Sequence, residues 1–237
     1  MKKVFIPFLS LLIFILSSCN KDGDDIRNYS DVPAIVAFSS ETFQPTIITS
    51  LGTFLAPELQ KFLYTAVVEG DAIWTYFTVN YDKPDDSGAN IAYDLTFAKI
   101  ETAGARATWG GESVDGSYNI PIEKMWIADV FNNRMFLVFE ITVPNDQKMM
   151  YEMTYDLNEK DNPEVYIRAK KNNPEGSGIT TTVYYPFAFN MSHFFSTYKS
   201  ADNLVKFKIK YKIGINVEGN DQFEYFDLGK HVEVKVE

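Results

Sequence analysis

The side chains best suited to covalent or metal chemistry are few, and their spacing does not bring them together. Two histidines, His193 and His231, and a single cysteine, Cys19, occur in 237 residues. Ser192 stands beside His193, but chain neighbours rarely aim at each other, and nucleophile–base–acid sets are assembled from distant segments. No HExxH, GxSxG or phosphate-loop spacing is present. Gly110-Gly111-Glu112-Ser113 lacks the strand-to-helix setting of a nucleophile elbow and reads as linker. Calcium takes several oxygens from a tight turn. Asp82, Asp85 and Asp86 with Gly88, or Asp156, Asn158, Glu159 and Asp161, offer such oxygens without the spaced pattern of an EF-hand. With 32 acidic residues, paired carboxylates acting on a glycosidic bond would need two of them facing each other in a cleft. The expectation is a chain that is not an enzyme, with no catalytic residue, no metal ligand set and no cofactor.

Cys19 has a different chemistry. Lys2 and Lys3 are followed by an apolar run from Val4 to Leu16 that is interrupted only by Pro7 and Ser10. A helix needs about 20 apolar residues to span a bilayer, so the run is too short and reads as a signal peptide over residues 1–18. Leu16-Ser17-Ser18-Cys19 resembles a bacterial lipobox, in which the cysteine sulfur is alkylated with diacylglycerol and becomes the first residue of the mature chain. One acyl chain holds a protein only marginally and two or three hold it stably, so Cys19 is expected to tether the protein to membrane. Asn20-Lys21-Asp22-Gly23-Asp24-Asp25 is polar and turn-forming, and residues 19–32 read as a flexible tether. The Lys-plus-acidic start of that run resembles the export signal of Bacteroidetes lipoproteins. The resemblance implies an outer-membrane lipoprotein exposed at the cell surface; the periplasmic face is the alternative.

Without Lys2 and Lys3 the chain carries 20 basic against 32 acidic residues, a net charge of −12. Nucleic acid is disfavoured as a partner, because neutralising phosphates requires clustered basic charge. With the one thiol lipidated, no disulfide is available, so a core must hold the fold. A composition 46% hydrophobic and 15% aromatic supplies one.

Strand signals dominate the mature chain: short alternating runs rich in Val, Ile, Phe, Tyr and Thr, separated by Gly, Pro, Asn and Asp. In Ala72 to Asn80, Ile73, Thr75, Phe77 and Val79 share one face, and Trp74, Tyr76, Thr78 and Asn80 the other. Ile91 to Ile100 follows as its hairpin partner. The Gly-, Ala- and Ser-rich stretch from Glu101 to Pro121 sets a boundary that divides the chain into residues 33–112 and 113–237. Beyond it, Phe136–Val143 and Met149–Leu157 flank Pro144-Asn145-Asp146-Gln147, a hairpin turn by composition. Glu164–Lys170 and Ile179–Phe189 are further strands, and Asn190–Tyr198 a single helical turn with Ser192 as cap. In Leu204 to Ile215 the apolar Val205, Phe207, Ile209, Tyr211 and Ile213 alternate with Lys206, Lys208, Lys210 and Lys212. A register slip of one residue would bury all four lysines. Val232 to Glu237 repeats the pattern with acids outward, which predicts cross-strand Glu–Lys pairs.

Arg134 to Ile141 (RMFLVFEI), Tyr155-Asp156-Leu157, Asn162-Pro163-Glu164-Val165, the FAFNMSHFF run from Phe187 to Phe195 and the lysine-alternating strand together resemble the NigD-like family of Bacteroidetes lipoproteins. That resemblance implies an all-β chain: a small N-terminal OB-like β-barrel over 33–112 and a C-terminal antiparallel β-sandwich over 113–237. It carries over no catalytic residues.

Aromatic density is the remaining hint of a role. Tyr185, Phe187 and Phe189 point one way and read as core, whereas Trp74, Tyr76, Trp109 and Tyr184 are candidate platform residues for a sugar or a protein. An OB-like sheet favours oligomeric ligands. The expected role is a non-catalytic binding module for a glycan or an envelope protein; the alternative is a fimbria-like structural subunit that assembles by strand addition.

Overall fold

The structure, a computed structural model, describes residues 24–40, 42–172 and 176–236. The expected signal peptide and Cys19 lie outside the described residues. The first five strands are β1 (Ile26–Phe38), β2 (Pro45–Thr49), β3 (Gly52–Leu55), β4 (Ala72–Asn80) and β5 (Ala92–Lys99). The alternation in β4 is realised as read: Ile73, Thr75, Phe77 and Val79 are buried, and Tyr76 is exposed. The five pair in the order β3-β2-β1-β4-β5. Their inner faces enclose a core that includes Val36, Ile47, Phe54, Phe77 and Val79, with Leu59 added by the tight turn at Pro57–Lys61. Leu55 and Ile91 form one parallel bridge, and the Leu55 N–H donates to Asn90 O at 2.9 Å. The sheet edges therefore meet at a single point. The half matches the OB-like expectation in strand number but is not a closed barrel.

β1 begins inside the stretch expected to be a tether. Its first residues are polar and mostly exposed because they run beside the outer end of β4, with Ile26 opposite Asn80 and Tyr29 opposite Phe77. Composition alone reads such a strand as linker. Asp24 and Asp25 are already fixed, since Asn80 Nδ2 donates to Asp24 Oδ2 at 3.0 Å and Tyr81 N–H to Asp25 O at 2.8 Å.

The remaining strands are β6 (Glu101–Gly104), β7 (Arg106–Thr108), β8 (Lys124–Phe131), β9 (Arg134–Pro144), β10 (Met149–Asp156), β11 (Glu164–Lys171), β12 (Thr180–Asn190), β13 (Leu204–Ile215), β14 (Asp221–Tyr225) and β15 (Val232–Lys235). They form two facing sheets, β6-β12-β9-β8 and β14-β13-β11-β10-β7, with β15 also on β13. Leu137, Phe139 and Phe189 from one sheet meet Tyr151, Ile167 and Phe207 from the other in a shared core. Burying each such side chain stabilises by roughly 1.5–3 kcal/mol. The sandwich is mixed rather than antiparallel: β7 with β10, β11 with β13 and β6 with β12 are parallel pairs.

Three local expectations change. β9 and β10 belong to opposite sheets, so Pro144–Gln147 is an arch and not a hairpin; both strands turn apolar faces to one core, and the Phe139 and Tyr151 rings stack with centroids 4.2 Å apart. Sheet membership changes at Ile100, ahead of the boundary expected after Glu112, because β6 and β7 are strands of the second half. The short helix α1 (Ser192–Tyr198) starts without a side-chain cap, since the Ser192 hydroxyl donates to Asn190 Oδ1 at 2.7 Å.

The halves pack through Ile35, Ala72, Ile100, Phe136 and Ala188, with Trp74, Ile48, Ala128 and Phe131 partly buried around them. Arg134 Nη2 donates to Gly70 O across this junction at 2.8 Å. No helix among the described residues is long and apolar enough to cross a membrane.

Candidate binding face

Strand register brings the half-buried Trp126 and the exposed Tyr184 together on the outer side of the β8–β9–β12 sheet. Trp126, Val138 and Pro186 align across the three strands, and the next row holds Lys124, Glu140 and Tyr184. Alternation points these rows away from the core. Tyr184 is 62% exposed, and its ring lies 5.8 Å from that of Trp126, reaching over β9. Lys124 Nζ meets Glu140 Oε1 at 3.2 Å directly beside the pair. The result is two rings flanked by a carboxylate and an ammonium, the combination that stacks on a sugar face and hydrogen-bonds its hydroxyls.

Phe136 and Ala188 lie two residues, about 7 Å, further along β9 and β12 on the same face. Trp74 packs over the cluster that contains them. A register shift in β1 between Tyr29 and Val32 puts Asp31 in the left-handed region, at φ 56°. Its carboxylate accepts the Trp74 indole N–H at 3.1 Å and the Tyr76 hydroxyl. That hydroxyl bond is the main cause holding the Tyr76 pKa above its ordinary value. Trp74 and Tyr76 thus form a second aromatic group on the first half, separated from Tyr184 and Trp126 by the buried Phe136 and Ala188 of the junction. Trp109, 79% exposed, stands apart, in the Trp109–Gly111 turn that leads onto the outer face of the other sheet. Of the four rings proposed from sequence, Trp74 and Tyr76 are joined through Asp31, and Tyr184 lies beside Trp126 on the second half. Trp126 and Asp31 were missed: a bulge between Ile127 and Asp129 breaks the alternation in β8, and Asp31 fell within the supposed tether.

The outer face of the β11–β13 sheet carries charge, but much of it is not solvated. Arg168, 3% exposed, donates from Nε to Asp221 at 3.0 Å, from Nη1 to Thr154 Oγ1 at 2.8 Å and from Nη2 to Gly111 O at 2.9 Å. Lys212, 2% exposed, reaches Asp221 and Tyr118 O. Glu152 accepts from Ser113 Oγ at 2.7 Å and Val114 N–H at 2.9 Å. Glu164 accepts from Lys210, Tyr166 and Tyr225. Burial opposes its charge, but those three donors outweigh it and hold the carboxyl below its ordinary value. Tyr166 is pushed up to about 12, by burial first and then by its bond to Glu164. The glycine-rich stretch read as linker is the lid of this lattice: Gly111 is buried against the Tyr166 ring. Lys206 alone behaves as the plain stripe predicts, exposed and paired with Glu233 opposite it on β15 at 2.7 Å.

The groups weighed for chemistry are otherwise engaged. His193 Nδ1 meets the Tyr155 hydroxyl, and His231 Nε2 meets Asn162 Oδ1 at 2.7 Å. Asp85 is occupied by its own loop through Ser87 and Ala89. Among the described residues no group of three or more His, Cys, Asp or Glu is placed to hold a metal.

No protein-family model matches the chain, and no curated protein matches it significantly. Solved structures do. An uncharacterized protein from Parabacteroides merdae superposes with a TM-score of 0.71 at 20% identity, covering 87% of this chain and 99% of its own. A protein from Bacteroides fragilis, provisionally named a lipoprotein, gives 0.53 at 12% identity over 90% and 97% of the two chains. A NigD-like immunity protein from Bacteroides caccae gives 0.50 at 11% identity over 89% and 97%. The expected NigD-like resemblance is met as a shared two-part all-β fold.

Proposed function

We propose that the chain is a cell-envelope lipoprotein, anchored through Cys19, whose β body is a non-catalytic binding module taking an oligosaccharide on the aromatic face. The observation that carries this reading is the Trp126–Tyr184 pair beside Glu140 and Lys124, with Trp74 and Tyr76 held by Asp31 as a second group on the other half. Two aromatic groups, each with a carboxylate, suit a chain of several sugar rings better than a single small molecule. Non-catalytic action is supported by the engagement of Ser192, His193 and the buried carboxylates in structural hydrogen bonds. At the margins formed by β6, β7 and β15, which are short, and by β8, which is bulged, edge pairing is blunted.

An array of bacterial-surface, mucin and plant oligosaccharides probed with the full-length chain in detergent tests the ligand class, and a pull-down from envelope extract runs beside it. Retention of one oligosaccharide family supports the reading. Hydrolysis of a retained glycan, or capture of a protein with no glycan retained, overturns it. Mass spectrometry of the native N-terminus tests the anchor: a diacylglyceryl group on Cys19 is expected, and an unmodified thiol contradicts it.

A further inference from the structure

The sandwich has an open side. β6 accompanies β12 only over Phe187–Asn190, and β7 accompanies β10 only over Thr154–Asp156. Below them the margins of the two sheets part around a cleft of about 490 Å³, within the size range of small-molecule sites. Met149, Tyr151, Tyr185 and Phe187 line its floor, and Arg106 and Lys148 its rim.

Tyr151 is the informative residue. It is 4% exposed, stacked on Phe139 and edge-on to Phe187 at 5.0 Å, and its buried hydroxyl has no hydrogen-bond partner. Other tyrosines of the same core are satisfied: Tyr155 by His193, Tyr185 by Gln147 O and Tyr198 by Asp156 O. Buried hydroxyls are normally paired, and an exception calls for a partner of another kind. Burial raises the Tyr151 pKa, so the group is a neutral phenol able to donate. At the rim, neither Arg106 nor Lys148 has a side-chain ion pair among the described residues. Two carboxylates also reach this cleft. Glu152 is already held by Ser113, Val114 and Arg168, leaving Glu101 against two cations.

We propose that this inter-sheet cleft is a second binding site, for a small amphipathic carboxylate: its apolar segment lies on the Met149–Tyr185–Phe187 floor, an oxygen accepts from Tyr151, and its charge meets Arg106 and Lys148. The site is separate from the aromatic face and stands or falls independently of it.

The probes are octanoate and 3-phenylpropanoate, with their neutral amides as controls, titrated into the full-length chain in detergent by calorimetry. The acids bind and the amides bind at least about tenfold more weakly. Tyr151→Phe weakens the acids by about fivefold while leaving the melting temperature of the unliganded protein equal or higher, because an unpaired hydroxyl is removed. Arg106→Gln with Lys148→Gln abolishes the preference for acid over amide. The proposal is overturned if neither acid binds at millimolar concentration, if amides bind as well as acids, or if Tyr151→Phe lowers the melting temperature with affinity unchanged.

Discussion

Asp31 and Trp74 are joined across the β1–β4 pair by an indole N–H donated to a carboxylate at 3.1 Å, and the same oxygen receives the Tyr76 hydroxyl. One acid thus holds two rings, the half-buried Trp74 and the exposed Tyr76. Asp31→Ala frees both, and is expected to weaken oligosaccharide binding about five- to tenfold, roughly 1–1.4 kcal/mol. Unfolding free energy should move by less than about 1 kcal/mol, since the contact is at the surface. Calorimetric titration and urea denaturation of the same samples separate the two effects.

Gly111 is expected to tolerate no side chain. Its φ is +70°, and a Cβ there would stand 2.3 Å from the Tyr166 ring, which Glu164 holds by its hydroxyl. Gly111→Ala should cost about 2–4 kcal/mol in urea unfolding, from left-handed strain and overpacking together.

The two kinds of lysine and arginine on the charged face should separate in one experiment. Arg168→Ala takes one donor each from Asp221, Glu152 and Gly111 O, which keep Lys212, the Ser113–Val114 pair and Thr154, but it leaves the buried Glu152 without its arginine, and about 3 kcal/mol should be lost. Lys206→Ala removes an exposed pair with Glu233 and should cost no more than about 1 kcal/mol.

Glu164 and Lys210 bracket the pH range of the lattice. The carboxyl of Glu164 is held below its ordinary 4.5, so the stability it contributes is present above that value and lost as pH falls through its lower folded value. Burial works against the Lys210 ammonium, but Glu164 and Tyr225 raise it above its ordinary 10.5; its contribution is present below that value and lost as pH rises further. Thermal melts across pH should therefore show a plateau between about 4.5 and 10.5 that Glu164→Gln erodes on the plateau and flattens at the acid limb.

Where a strand has one wet and one buried face, as in β4 and β13, the period of two was enough to assign every inward side chain. The same rule misled on the outward side of β11 and β13. It assigns Lys210 and Lys212 to solvent, but Lys210 lies against Glu164 and Tyr225 and Lys212 against Asp221 and Tyr118 O, long-range contacts with no local signature. β1 was hidden because its first half pairs without burying apolar surface. The arch at Pro144–Gln147 has the composition of a hairpin turn, and only the shared core of Phe139 and Tyr151 shows that its strands lie in opposite sheets. Tyr184 was legible as the odd member of an inward-facing aromatic run. Its neighbour Trp126 was not, because the β8 bulge disrupts the pattern around it.

The most direct measurement is titration of an array-selected oligosaccharide into the wild-type chain and into the Trp126→Ala, Tyr184→Ala double variant, with melting curves for both. Stacking rings at the centre of a binding face contribute about 2 kcal/mol or more, so the double variant should bind at least about 30-fold more weakly with its melting temperature nearly unchanged. Equal affinity in the two proteins would contradict the account.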